Sequence, residues 1–95
     1  MVTQNVQRRY ALNIAGAYNY LGEIRRGEGK FQEALDCYDK ALDYARDQEA
    51  YSSWVVFSCN AGVTCYNMGQ FDRTKKYFLQ AYELFPRYVF YWRIP

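Results

Sequence analysis

The chain says nearly the same thing twice, forty residues apart. The first passage runs Tyr18-Asn19-Tyr20-Leu21-Gly22, then Gly29-Lys30-Phe31-Gln32-Glu33-Ala34, then Tyr38 and Lys40-Ala41-Leu42. The second runs Ser58-Cys59-Asn60-Ala61-Gly62, then Gly69-Gln70-Phe71-Asp72-Arg73-Thr74, then Phe78 and Gln80-Ala81-Tyr82. One offset carries Gly22 onto Gly62, Gly29 onto Gly69, Phe31 onto Phe71, Tyr38 onto Phe78 and Ala41 onto Ala81. Small and aromatic positions in one register mark a stacked repeat, whose units bury their apolar faces against one another. That constraint points to a binding scaffold before it points to a reaction.

Within each copy the apolar spacing is three and four, the helical period. Val6, Tyr10, Ile14, Ala17, Leu21 and Ile24 make a first stripe, predicting a helix from about Thr3 to Arg26 that Gly27 and Gly29 end. Phe31, Ala34, Leu35, Tyr38, Ala41, Leu42 and Ala45 make a second. The pattern lapses near residues 47–52, where Asp47, Ser52 and Ser53 are candidate N-caps for a third helix. Trp54, Phe57, Ala61, Cys65 and Met68 form the third stripe, and Gly69 breaks it. Phe71, Thr74, Phe78, Ala81, Tyr82 and Phe85 form the fourth, which Pro86 is expected to stop. Helices joined by such short turns run antiparallel. The fold class is therefore all-α, two tandem helix hairpins with a flanking C-terminal segment.

The 95 residues are read as one domain: repeat one at about 3–47, repeat two at about 50–86, and an aromatic capping tail at 87–95. The tail could equally open a further repeat; a docking peptide is the less favoured reading. Gly22 and Gly62 are where a neighbouring helix can come closest. A domain this small buries only about two-thirds of its unfolded surface. The 20% aromatic content supplies large buried areas per residue and leaves rings to spare for a partner.

Twelve basic against ten acidic residues give a net charge of +2, too little for an electrostatic claim on nucleic acid. Cys37, Cys59 and Cys65 are odd in number and lack C-x-x-C spacing, and there is no His. A zinc site is not expected, nor is any metal or cofactor. Unpaired thiols fit a reducing compartment, so a cytoplasmic location is expected. The segment Met1 to Arg9 lacks the apolar run of a secretory signal, and no stretch is long and apolar enough to enter a membrane. Catalysis has no imidazole base and no recognisable nucleophile motif to work with. An enzyme is the least favoured class.

These residues resemble the tetratricopeptide repeat family. Its unit is a helix hairpin with an aromatic, Leu-Gly, a Gly-aromatic turn, then Ala, an aromatic and Ala. Tyr18, Leu21-Gly22, Gly29, Phe31, Ala34, Tyr38 and Ala41 fill that template. In the second copy Ala61 replaces the Leu, Thr74 replaces the first Ala, and Pro86 supplies the closing proline. The first copy lacks that proline and has Arg25 where an aromatic is usual. The period of forty exceeds the family's usual 34, and the excess around Arg46 to Tyr51 is expected to lengthen the helices beside that turn. In repeat length the chain is similar to kinesin light chains and to bacterial peptide-pheromone receptors that regulate transcription.

The resemblance implies a concave groove lined by the first helix of each hairpin, taking a peptide or partner protein. The positions it implies are Asn19, Glu23, Arg26, Asn60, Val63, Tyr66 and Asn67, with Gly16, Val56 and Cys59 beside them. Asn60 stands where many peptide-binding members keep an asparagine, whose amide can donate to and accept from a ligand backbone. Tyr20 holds that place in the first copy. A clamp for a C-terminal carboxylate would need several cations on this face, and only Arg26 is available. Two repeats are fewer than such stacks usually need, so either the long first helix and aromatic tail compensate or the chain pairs with itself through the terminal helices or the aromatic tail. The alternative function is a peptide-sensing fragment of a bacterial transcriptional regulator.

Overall fold

Three turns of three residues each divide the chain, and they are built alike. A computed structural model describes the backbone of residues 3–93 and the side chains of residues 3–84 and of Pro86. Four helices follow one another: α1 (Gln4–Gly27), α2 (Phe31–Asp47), α3 (Tyr51–Asn67) and α4 (Phe71–Arg93). The middle residue of each turn is left-handed: Gly29 at φ 78°, Glu49 at φ 50° and Gly69 at φ 75°. Each turn is closed by the same pair of backbone bonds. Lys30, Ala50 and Gln70 donate to the carbonyls of Arg25, Ala45 and Cys65, all at 2.9 Å. Those bonds satisfy carbonyls that a helix end would otherwise leave open.

The forty-residue period thus comprises two helices and two tight turns. The extra length expected near Arg46 to Tyr51 lies in the helices, not in a loop. The proposed caps of α3 are not used. Asp47 ends α2, Ser52 and Ser53 lie inside the first turn of α3, and the residue preceding that helix is Ala50. Thr3 does cap α1, its hydroxyl oxygen accepting from the Val6 amide at 3.3 Å.

α1 packs on α2, α2 on α3 and α3 on α4. One buried cluster joins Ala15, Ala41, Leu42, Ala45, Ala50 and Phe57; a second joins Ala34, Leu35, Tyr38, Ala61 and Cys65. Leu42 and Phe57 in the first, and Tyr38 and Ala61 in the second, hold the two hairpins together across the α2–α3 contact. The same glycine contact closes each hairpin. A Cβ on Gly22 would stand 2.6 Å from Tyr38 Cε1, and one on Gly62 2.5 Å from Phe78 Cε1. Only a residue without a side chain lets the helices come so near.

Two further expectations are corrected. The apolar stripe of α1 faces outward: Val6, Tyr10, Ile14, Leu21 and Ile24 are exposed, while Ala15 and Gly22 are the helix's buried residues. Gly22 is buried because a residue without a side chain permits the close approach to Tyr38, and Ala15 packs into the first cluster. Pro86 does not stop α4, which runs on to Arg93. Proline there removes one amide donor and leaves the Tyr82 carbonyl without it. Pro86 is exposed, so water can reach that carbonyl and the helix survives. Residues 87–93 are a helical extension; whether their aromatic side chains form a cap lies outside the described residues.

Candidate functional site

Tyr18-Asn19 and Cys59-Asn60 lie on α1 and α3, the first helices of the two hairpins. The Asn60 amide nitrogen donates to Asn19 Oδ1 at 2.8 Å, tying α1 to α3. That bond engages one of two amide hydrogens on Asn60 and leaves its carbonyl oxygen available. The Asn60 backbone carbonyl accepts from the Thr64 hydroxyl at 2.8 Å, which orients this part of α3.

One turn along α1, Arg26 Nη2 donates to both oxygens of Glu23, at 2.8 and 3.0 Å. The buried Tyr38 hydroxyl on α2 donates to Glu23 as well. Glu23 is therefore oriented by two donors from different helices. Burial, and then the hydrogen bond to the Glu23 carboxylate, push the Tyr38 hydroxyl well above the usual tyrosine range. With its charge already matched by Glu23, Arg26 is poorly suited to clamp a free carboxylate.

Among the predicted residues the structure thus brings Asn19 to Asn60 and joins Glu23 to Arg26. Val63 and Tyr66 stand exposed on α3, as does Asn67. Tyr66 leans on Phe71 at the start of α4, ring centres 5.4 Å apart, so it is positioned toward the second turn. Cys59 and Cys65 are not reactive thiols by environment, since burial pushes both upward in pKa.

Tyr38 was not among the predicted residues, and the sequence marks it only as the aromatic that meets Gly22. Exposed rings and aliphatics on α4 were also missed: Phe78, Leu79 and Tyr82 are 41%, 48% and 75% exposed. Tyr82 and Phe78 share the helical stripe of Ala81, and periodicity assigns all three to the core alike. No helix among the described residues is long and apolar enough to cross a membrane.

A sequence model of the tetratricopeptide repeat matches residues 13–87, most of the chain and both hairpins. The chain belongs to the tetratricopeptide repeat family. Repeats of this family generally mediate protein–protein interactions and typically act as scaffolds rather than enzymes. No curated protein and no solved structure shows significant similarity to it.

Proposed function

We propose that this chain is a protein-interaction module that takes a peptide or partner protein along α1 and α3 and also pairs with copies of itself. The observation carrying the first part is the Asn60–Asn19 bond, which holds both amides side by side on neighbouring helices. A pair of oriented amides can donate to and accept from the backbone of an extended peptide. Glu23 and Arg26, fixed to one another, would set polar register, and exposed Val63 and Tyr66 would supply apolar contact. Asn67 completes the polar edge of α3. The three free cysteines suit a reducing, cytoplasmic setting.

Peptide selection against the purified chain, followed by calorimetry on the selected peptides, tests the groove. Asn60→Ala and Tyr66→Ala should each weaken binding by about tenfold or more. If the selected peptides bind both variants as tightly as the parent chain, the groove is elsewhere.

A further inference from the structure

The repeat register lets each terminal helix be compared with its own internal counterpart. Leu42 and Tyr38 on α2 are fully buried, whereas Tyr82 and Phe78, forty residues on, are 75% and 41% exposed. On the other side, Ala50, Phe57 and Ala61 are buried by α2, while Tyr10, Ala17 and Leu21 at the matching places of α1 are exposed. Trp54 and Ile14 make a further pair of this kind; Trp54 packs against the first buried cluster and Ile14 is 41% exposed. The chain therefore displays an uncovered copy of each half of its own α2–α3 contact.

An apolar groove of about 250 Å3 on the second hairpin is lined by Val55, Cys59, Phe78, Ala81 and Tyr82. Their counterparts are Ala15, Asn19, Tyr38, Ala41 and Leu42, and in the first hairpin α3 closes over that place. Ala15, Ala41 and Leu42 share a buried cluster with Phe57 there, Tyr38 shares another with Ala61, and Asn19 accepts from Asn60.

We propose that α1 of a second copy docks on this groove as α3 docks on α2, so that copies join head to tail. The occupant follows from continuity with an interface the chain already makes, since α1 and α3 are repeats of one sequence. The helix lengths agree. α1 has 24 residues against 17 in α3, and α4 has 23 against 17 in α2. Both extensions fall at the same end of the bundle, because α1 is longer at its start and α4 at its finish. In the docked pair they run alongside one another and lengthen the contact.

The match is incomplete at the opposite end. Lys75 and Arg25 hold the places of Leu35 and Cys65, which are buried together. The contact between copies is accordingly weaker than the internal one and concentrated around Phe78, Tyr82, Ile14 and Leu21. A head-to-tail contact uses two different surfaces, so it grows into open assemblies unless the rotation closes.

This inference rests on the self-pairing proposed above and specifies its geometry. Light scattering of the full chain, from about 1 µM to 1 mM, reads it directly. The parent chain should gain mass beyond a dimer as concentration rises. Tyr82→Asp and Ile14→Asp, both at exposed sites, should each be monomeric, since each lacks one of the two surfaces. Mixed in equal amounts they should form pairs and stop there. Hydrogen exchange on the parent chain should show added protection on both α1 and α4 at high concentration. A parent chain that stays monomeric throughout overturns self-pairing altogether. A parent chain that associates while the two variants fail to complement each other, or with protection on one helix only, overturns the head-to-tail geometry alone.

Discussion

Gly22 and Gly62 occupy equivalent places but differ in what their neighbours can do. The Tyr38 ring against Gly22 is buried and tethered through its hydroxyl to Glu23. The Phe78 ring against Gly62 has no hydroxyl and is 41% exposed, so it can swing aside. Gly22→Ala should cost about 1–3 kcal/mol by overpacking. Gly62→Ala should also destabilise, since its Cβ would stand 2.5 and 2.6 Å from two Phe78 ring atoms and 3.3 Å from Tyr77 Cβ, but by less than Gly22→Ala, because the partly exposed Phe78 ring can yield where the tethered Tyr38 ring cannot. Urea melts of both variants check the difference. The two glycines were legible from the period alone; the inequality between them was not, because it depends on burial of their partners. Tyr38 and Tyr77 contribute to the alkaline response, beside the Cys59 and Cys65 thiols that burial also raises. Burial, and hydrogen bonds to Glu23 and Asp39, raise both hydroxyls above the ordinary value of 10. Their stabilising contribution is complete below pH 10, where folded and unfolded chains are both protonated. Above it the unfolded chain loses protons that the folded chain keeps, so stability falls as pH rises. Melts from pH 9 to 11.5 should show this loss, and Tyr38→Phe should reduce it while leaving the Tyr77 share.

At the scale of elements, the turn between α2 and α3 departs from its two sister turns in one residue. Glu49 adopts the left-handed backbone that Gly29 and Gly69 supply elsewhere. An L-residue pays about 1–2 kcal/mol for that conformation. Glu49→Gly should therefore raise stability by about 1 kcal/mol, seen as a higher midpoint in calorimetry. The same residue explains why this turn was placed only loosely at 47–52. Sequence rules look for glycine or a serine cap, and here a glutamate does glycine's part while the backbone closes the turn. Pro86 misled in the opposite sense, since proline is a reliable stop only where its lost bond cannot be replaced. Pro86→Ala restores an amide donor to the Tyr82 carbonyl and removes the ring's clash with it. Amides just beyond residue 86 should then exchange more slowly with solvent, while α1 to α3 stay unchanged.

The whole molecule is a slab of 43 × 30 × 17 Å, two hairpins wide, whose unity depends on the α2–α3 contact. Which residues repeat was plain from the sequence, and so was the number of helices. Which side of each terminal helix is left uncovered was not, because the same apolar stripe serves a buried inner helix and an exposed outer one. Only comparing counterparts such as Leu42 and Tyr82 separates them, and that comparison needs burial. The candidate groove is legible to a similar degree: Asn60 stood out through the family resemblance, but its bond to Asn19 across forty-one positions required the fold. In a repeat stack, stability is nearly a sum of unit stabilities and interfaces between neighbours. Phe57 sits 6% exposed in the cluster that joins α1, α2 and α3. Phe57→Ala removes the one buried side chain that α3 gives to that cluster, at about 3–5 kcal/mol. Since α1–α2 and α3–α4 keep their own glycine contacts, the loss falls on the link between hairpins. Urea unfolding of this variant, followed by circular dichroism, should show a lower midpoint and also a shallower slope as the hairpins begin to melt separately. A lower midpoint with an unchanged slope would mean that the hairpins remain one cooperative unit, held by the second cluster around Tyr38 and Ala61.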